Sequence, residues 1–487
     1  MIKVTNIILI LTLYFDVYSQ NAWFVQNSGV GTTLNSVYFV DVNTGWSVGS
    51  SGMILKTTNG GMNWQLQTSG TTSDIYAIYF LNSFTGWVAG DFVLLKTTNG
   101  GTSWENLPTK DLTFISSIQF INKDTGWVSG AMGIFKTTNA GTNWNFQYIH
   151  PISFLWSINI LNQQTGWAAG DEIIVKTNNG GQSWNIVLDN VYAPLFCIKF
   201  VNRDMGWSVG AYGAIFKSTN GGANWFDQSV NSDNWFYLNS AHFYNSSTGW
   251  LAGGDTIYST TNGGDNWSRN SIGNGYAYAI SFIGNNTGWA VGYEGITLKT
   301  TTGGNSFSNL NLITFIEGLY DSQSHLQIAD TLTVQLRNYY SPYSQVKTEN
   351  GVTSSNGFFG LTFLNLPIGD YYLEINHRNS IETWSNQPIS FSPIITTSFD
   401  MSSSSSQAYG NNLKRIDNVP LRFGIFSGDV NQEGVIDSTD LSLIDNDAYN
   451  FVTGYVPTDL TGNSFVDGSD YSIADNNSFN FVSVIRP

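Results

Sequence analysis

The sequence predicts a mainly β chain: a seven-bladed β-propeller, then a small β-sandwich, then a short α-helical module carrying two acidic loops. Three observations carry that expectation. A Gly-Trp pair returns with its Trp at 46, 87, 127, 167, 207, 250 and 289, a spacing of about 40 residues, which is the length of one four-stranded blade. After residue 310 the repeat gives way to alternating apolar and polar segments separated by turn residues. Residues 428–487 carry ten Asp/Glu against one Arg, so more than half of the formal net charge of −16 sits in that tail.

The composition agrees. Only 11% of the 487 residues are charged, whereas Gly, Asn, Ser, Thr and aromatic residues abound, a usage that suits turn-rich β structure rather than long helices. The acidic balance argues against a nucleic-acid partner, which needs a clustered basic surface. Residues 1–19 read as an export signal: Lys3 ahead of an apolar run over 7–15 and a plausible cleavage site at Val17-Tyr18-Ser19. That run is too short to span a bilayer, and no other segment approaches the ~18 apolar residues a transmembrane helix needs. The chain is therefore expected to be secreted or surface-associated, and monomeric. Its one cysteine, Cys197, excludes an intrachain disulfide.

The propeller is expected over 20–310. Eighteen residues after Trp46 comes a second Trp, Trp64, with counterparts at Trp104, Trp144, Trp184, Trp225 and Trp267 and a degenerate Phe307. Each unit reads as an apolar strand, a turn, the Gly-Trp strand, a third strand running into Lys-Thr-Thr-Asn-Gly-Gly, and a closing strand. Asn59, Asn99, Asn139, Asn179, Asn220 and Asn262 can bond their own backbone two residues on, and the glycines after them accept positive φ. Including Trp23, there are eight closing segments for seven blades. Because Trp23 to Ser28 matches Trp64 to Ser69, the N-terminal strand is expected to complete the last blade beside 296–300, with 307–312 leading out toward the sandwich.

The segment Thr57-Thr58-Asn59-Gly60-Gly61-Met62-Asn63-Trp64 resembles the Asp-box (BNR) repeat, with Asn in the Asp place. The combined Thr-Gly-Trp and Lys-Thr-Thr-Asn-Gly-Gly pattern over 21–310 is similar to the Ycf48/Hcf136-type propeller family. That resemblance implies the fold. The best-known members assist photosystem assembly, and nothing in this sequence points to a photosynthetic partner.

Asp-box propellers include sialidases, which hold a substrate carboxylate with three arginines. Residues 1–310 contain two, Arg203 and Arg269, so that site cannot be built. Cys197 falls in a column of small residues (Ser36, Ala77, Ser117, Ser157, Ser240, Ala279) and reads as a small buried group. The adjoining column contains Tyr76, Trp156, Phe196 and Tyr278, candidate ligand-binding rings near the channel, although period-2 alternation favours packing for them. The column Lys56, Lys96, Lys136, Lys176, Lys217 and Lys299 reads as a solvated strand face.

The sandwich is expected over 311–427, with strands near 331–337, 358–364 and 371–377. In the tail, 428–487, the loop from Asp429 places oxygen ligands at Asp429, Asn431, Glu433, Asp437 and Asp440, positions 1, 3, 5, 9 and 12, with Gly434 at the sharp turn. Asp459, Thr461, Asn463, Asp467 and Asp470 repeat the spacing thirty residues on. This oxygen-rich shell suits Ca²⁺. The duplicated loop-helix unit resembles dockerin type I, with Glu433 in place of Asp and Ser464 in place of Gly. The resemblance implies docking onto a cohesin-like receptor through Ser438 and Thr439 in one loop and Gly468 and Ser469 in the other, or a calcium-stabilised cap. The resulting expectation is a non-catalytic binding or scaffold protein for a protein or surface-polymer partner. The alternative is a dockerin-borne polysaccharide-processing enzyme.

Overall fold

A computed structural model describes residues 22–149, 154–229, 236–273, 275–393 and 395–487; the expected export signal lies outside them. They divide into two compact units, 22–304 and 305–487.

Among the described residues the first unit holds seven four-stranded antiparallel sheets. The first runs Leu34–Phe39, Gly45–Gly49, Ile54–Thr57 and Gln65–Leu66. Its second strand, Gly-Trp-Ser-Val-Gly, is buried at every position, because neighbouring sheets cover both of its faces. Gly45 is obligatory there, since a Cβ would stand 2.5 Å from the Phe39 ring. The innermost strand of each sheet packs on that of the next, and Ala277–Ile283 of the seventh packs on Leu34–Phe39 of the first, so the ring closes.

The recurring Trp is the clamp between sheets. Trp46 stacks on Phe80 of the next sheet at 3.6 Å and 10°, and Trp289 of the seventh stacks on Phe39 of the first at 3.5 Å and 8°. All of these indoles except that of Trp127 also donate their N–H into the turn of another sheet, Trp46 to the Gly100 carbonyl (3.1 Å) and Trp289 to that of Gly60 (2.9 Å). The turn is held for this purpose: Thr57 Oγ1 accepts from the Gly61 amide (2.9 Å) and Asn59 Oδ1 from the Asn63 amide (2.9 Å). The lysine column is not a solvated face. Lys56, Lys96, Lys136, Lys176 and Lys299 lie 4.7–5.9 Å over the centroids of the clamp Trp rings. Partial burial lowers the pKa of Lys56, Lys136, Lys176 and Lys299.

The seventh sheet is completed from the N-terminal side. Phe24–Gln26 pairs antiparallel with Thr297–Thr300, Phe24 opposite Lys299 and Gln26 opposite Thr297. Trp23 takes the closing-Trp place, edge-on to Phe282 at 5.7 Å as Trp64 is to Phe39 at 5.9 Å. Phe307 is therefore no closing residue.

The second unit starts at Asn305, earlier than the boundary expected at 310/311, because Phe307–Ile313 is a sandwich strand. It pairs antiparallel with Phe358–Leu364 and parallel with Thr397–Asp400. A second sheet orders Gln345–Val352, Thr331–Asn338, Gly369–His377 and Ser380–Trp384, with Ile389–Phe391 also on Gly369–His377. Leu310, Leu312 and Phe363 from one sheet and Leu332, Val334, Leu373 and Ile375 from the other form the core, the alternate residues of each strand. That core does not stop at the expected 427/428 boundary. Ile436, Ile444, Leu460, Val466, Ala474 and Val482 of the tail belong to it. The tail's helices are α1 (Ser438–Tyr449) and α2 (Gly468–Phe479). Polar ties reinforce the seam: Asn379 Nδ2 donates to the Asp459 carbonyl (3.1 Å) and Asn477 Nδ2 to that of Ser427 (2.8 Å).

Candidate functional site: an aromatic channel mouth and two acidic loops

The innermost strands of the first unit line a cavity of about 940 Å³. Tyr76, Trp156, Phe196 and Tyr278 all face it, together with Asn35, Ser116 and Asn239 of the same column. The alternation that favoured packing fails at these positions because the register shifts there: Ile75 and Ala77 face Gly90 and Ala89, leaving Tyr76 as the extra residue of a bulge. Trp156, Phe196 and Tyr278 occupy the same bulge in their sheets. A bulged residue leaves the pleat and is re-aimed, here into the channel.

Three of the four rings join a continuous arc. Tyr76 lies 5.0 Å from Phe114, Phe114 lies 6.1 Å from Trp156, and Trp156 lies 5.1 Å from Phe154 and 5.8 Å from Phe196. Phe196 continues to Tyr237 at 6.0 Å. Tyr278 lines the same channel outside this series, its phenol raised by burial and by Tyr293 and Tyr276. Phe114, Phe154 and Tyr237 share one place in the repeat with Tyr276, immediately before Ile115, Leu155, Leu238 and Ala277, and that partly aromatic column is the sequence signal for them. They precede the innermost strands, where the loops vary.

Carboxylates flank the arc. Trp156 Nε1 donates to Asp171 Oδ1 (2.7 Å) and the Phe154 amide to Asp171 Oδ2 (3.3 Å). The Tyr76 hydroxyl donates to Asp91 (3.3 Å) and Asp74 (3.5 Å), and its pKa is pushed up to about 12 by burial and then by those two charges. Asp91 and Asp171 each follow the closing Gly of a Gly-Trp strand, at equivalent places in the second and fourth sheets.

One layer deeper, Ser157 Oγ accepts the Ile198 amide (3.2 Å) and Cys197 Sγ the Ala241 amide (3.3 Å). The thiol thus serves as one in a series of acceptors between innermost strands, buried as its column suggested.

The two acidic loops fold alike. Asp429 accepts the amides of Glu433 and Gly434 (both 3.1 Å), and Asp459 that of Ser464 (2.9 Å). Asp440 accepts the amides of Val430 (2.9 Å), Asn431 (3.2 Å) and Asp437 (3.0 Å). Asp470 accepts those of Leu460 (2.8 Å), Thr461 (2.9 Å) and Asp467 (2.9 Å). Asp437 and Asp467 cap the two helices with matching capping boxes. They differ in two respects. In the first loop the carboxylate oxygens of Glu433, Asp437 and Asp440 lie within 4.8 Å of one another; in the second, Asn463 stands in the Glu433 place and turns its oxygen to the Phe465 amide (2.8 Å). At the sharp turn Gly434 has φ +90°, and Ser464 is forced to φ +69°. Burial, and secondarily the charge of Asp440, push Asp429 up to about 6, and burial raises Asp440 as well. Among the described residues no Lys, Arg or His pairs with these carboxylates. Buried Asp429 and Asp440 beside half-covered Asp437 and exposed Glu433, with no cation of the protein's own to balance them, fit a hard divalent cation.

The family model for the photosystem II assembly factor YCF48 matches residues 15–112 and 189–277. A solved structure titled "YCF48 bound to D1 peptide" aligns with a TM-score of 0.51 at 22% identity, covering 58% of this chain and 97% of that one. YCF48 from Cyanidioschyzon merolae aligns with a TM-score of 0.48 at 19% identity, covering 57% and 98%. The WD40 propeller domain of Doa1 gives 0.49 at 9% identity, covering 58% and 96%. No curated protein matches the chain in sequence.

The first unit is a β-propeller that resembles the Ycf48 proteins over these segments.

Outside this Ycf48-like unit one arrangement imitates a hydrolase. Ser380 Oγ lies 3.0 Å from His377 Nδ1, and His377 Nε2 lies 3.1 Å from Asp330 Oδ2. A nucleophile must meet its substrate, yet Ser380, His377 and Asp330 are all buried. Asp330 is engaged by Arg378 (3.1 Å) and by the hydroxyl of Tyr455 (2.5 Å), which ties the sandwich to the tail.

Proposed function

We propose that this chain is a secreted, non-catalytic binding protein whose seven-bladed propeller engages a protein or surface-polymer partner through the aromatic channel mouth. The observation that carries the reading is the bulge column: four sheets re-aim a large ring into one mouth, and three of those rings form a continuous arc with Phe114, Phe154 and Tyr237. Aromatic clusters of this kind dominate binding surfaces because they bury much area at little conformational cost. The likeness to a Ycf48 propeller bound to a peptide supports a protein partner.

The tail completes the proposal. Asp429, Asn431, Glu433, Asp437 and Asp440 hold one Ca²⁺, and Asp459, Thr461, Asn463, Asp467 and Asp470 hold a second, weaker one. Because the tail contributes to the sandwich core, its first role is a calcium-stabilised cap on that unit. Attachment to a cohesin-like receptor is its second role, supported by the exposure of Ser438, Thr439, Gly468 and Ser469. The polysaccharide-processing alternative gains nothing from the buried Ser380–His377–Asp330 arrangement.

The test is proximity labelling in the native medium with the intact chain and with Trp156→Ala/Phe196→Ala. Partners that label the intact chain and are lost from a variant with an unchanged melting temperature support the reading. Identical labelling would remove it.

A further inference from the structure

The channel mouth pairs each of its two strongest aromatic stations with a carboxylate that has no cation among the described residues. At one, Tyr76 and Phe114 stand beside Asp74 and Asp91; at the other, Trp156 and Phe154 stand beside Asp171. Phe114 joins the stations, 5.0 Å from Tyr76 and 6.1 Å from Trp156. None of the three carboxylates has a Lys, Arg or His within ion-pair distance among the described residues. The protein's own lysines show that this is not a shortage of suitable cations: five are spent over the buried clamp Trp rings. A ring face and a carboxylate arranged together are what a guanidinium or ammonium group needs, the face supplying quadrupole attraction and the carboxylate directed hydrogen bonds.

We infer that the mouth recognises a peptide segment bearing arginine or lysine, two cations set one residue apart so that each enters one station. In an extended peptide, side chains at i and i+2 point the same way and stand about 6.8 Å apart, comparable with the ring-to-ring steps of the arc. The inference rests on the proposed binding role of this mouth and adds to it the charge and spacing of the partner.

The experiment is calorimetric titration of the full chain with acetyl-Arg-Gly-Arg-Gly-Arg-amide and with the same peptide carrying citrulline, which keeps the planar shape of arginine but has no charge and a carbonyl in place of one nitrogen. The expected result is at least tenfold weaker binding of the citrulline peptide. Asp91→Asn/Asp171→Asn should weaken the arginine peptide by a similar factor, whereas Asp445→Asn/Asp475→Asn, an equal charge change at exposed tail positions, should leave it within twofold. Equal affinity for the two peptides would overturn the charge assignment. So would equal loss in both double variants, which would mark general attraction to an acidic protein. No binding of either peptide would also overturn it, while the labelling experiment with the Trp156 and Phe196 variant judges the broader reading separately.

Discussion

The ring and the tail are both built by duplication, and they use it in opposite ways. In the ring, each copy is completed by its neighbour: the clamp Trp of one sheet stacks on the next, and Trp289 returns to Phe39. In the tail, two copies face each other through α1 and α2 but also feed one core shared with the sandwich, and their loops have diverged at Glu433/Asn463 and Gly434/Ser464. Repetition in the ring therefore makes every copy indispensable, whereas in the tail it leaves one copy free to weaken.

The hardest test of that contrast is to open the ring. Deleting residues 22–28 removes Trp23 and the strand Phe24–Gln26, exposing a sheet edge. The loss should be about 5 kcal/mol, on the order of a buried Trp plus a strand, read as a fall in the denaturant midpoint of the ring. An unmoved midpoint would show that the closure contributes nothing. Trp250→Ala should cost about 3–5 kcal/mol by cavity formation, since Trp250 is buried, stacks on Phe282 and donates to the Gly303 carbonyl. Phe307→Ala is the matched control and should leave the ring's transition in place.

Calcium tests the other side. At a hundredfold excess over Kd, a bound ion stabilises the fold by about 2.7 kcal/mol, so chelation should lower the melting transition of the second unit and not that of the ring. Asp440→Asn should abolish most of that calcium response, and Asp470→Asn a smaller part. Equal effects would mean the loops have not diverged in function. The smallest effect is expected from Ser464→Gly. A non-glycine residue in the left-handed region is strained by roughly 1–2 kcal/mol, partly offset by glycine's greater freedom when unfolded. The variant should gain about 0.5–1 kcal/mol, and a loss would show that Ser464 is held there by a contact worth more than its strain.

Much of the ring was legible because its period is set by large residues that cannot be moved: a Trp at every ~40 positions has to meet the same neighbour each time. Even the closure by Trp23 could be read, from the match of its segment to Trp64 and the degenerate Phe307. What could not be read depended on backbone irregularity and on pairing across sheets. The bulges at Tyr76, Trp156, Phe196 and Tyr278 break the period-2 rule that the sequence invites, and so turn apparent packing residues into channel-facing ones. Lys56 and its counterparts alternate like solvated residues, yet they lie over Trp rings that only the fold brings beneath them. Phe114 and Phe154 occupy one column of the repeat, but Thr33, Asp74 and Pro194 interrupt it, so it lacks the regularity that marks the Trp. The two acidic loops were legible through their spacing, but nothing in that spacing reveals that Ile444 and Ala474 share a core with Leu332.

The pairing of Phe24 with Lys299 also sets a schedule. The strand that seals the ring is the first to be made, and its partner follows 275 residues later. At roughly 5–20 residues per second of synthesis, that strand waits on the order of half a minute with its hydrogen-bonding groups unpaired, while six sheets assemble behind it. Joining the ends then requires closing a loop as long as the whole ring, a slow step compared with the local hairpins inside each sheet. Until it happens the seventh sheet presents a raw edge along Thr297–Thr300, so the chain is most open to mispairing just before its ring is finished.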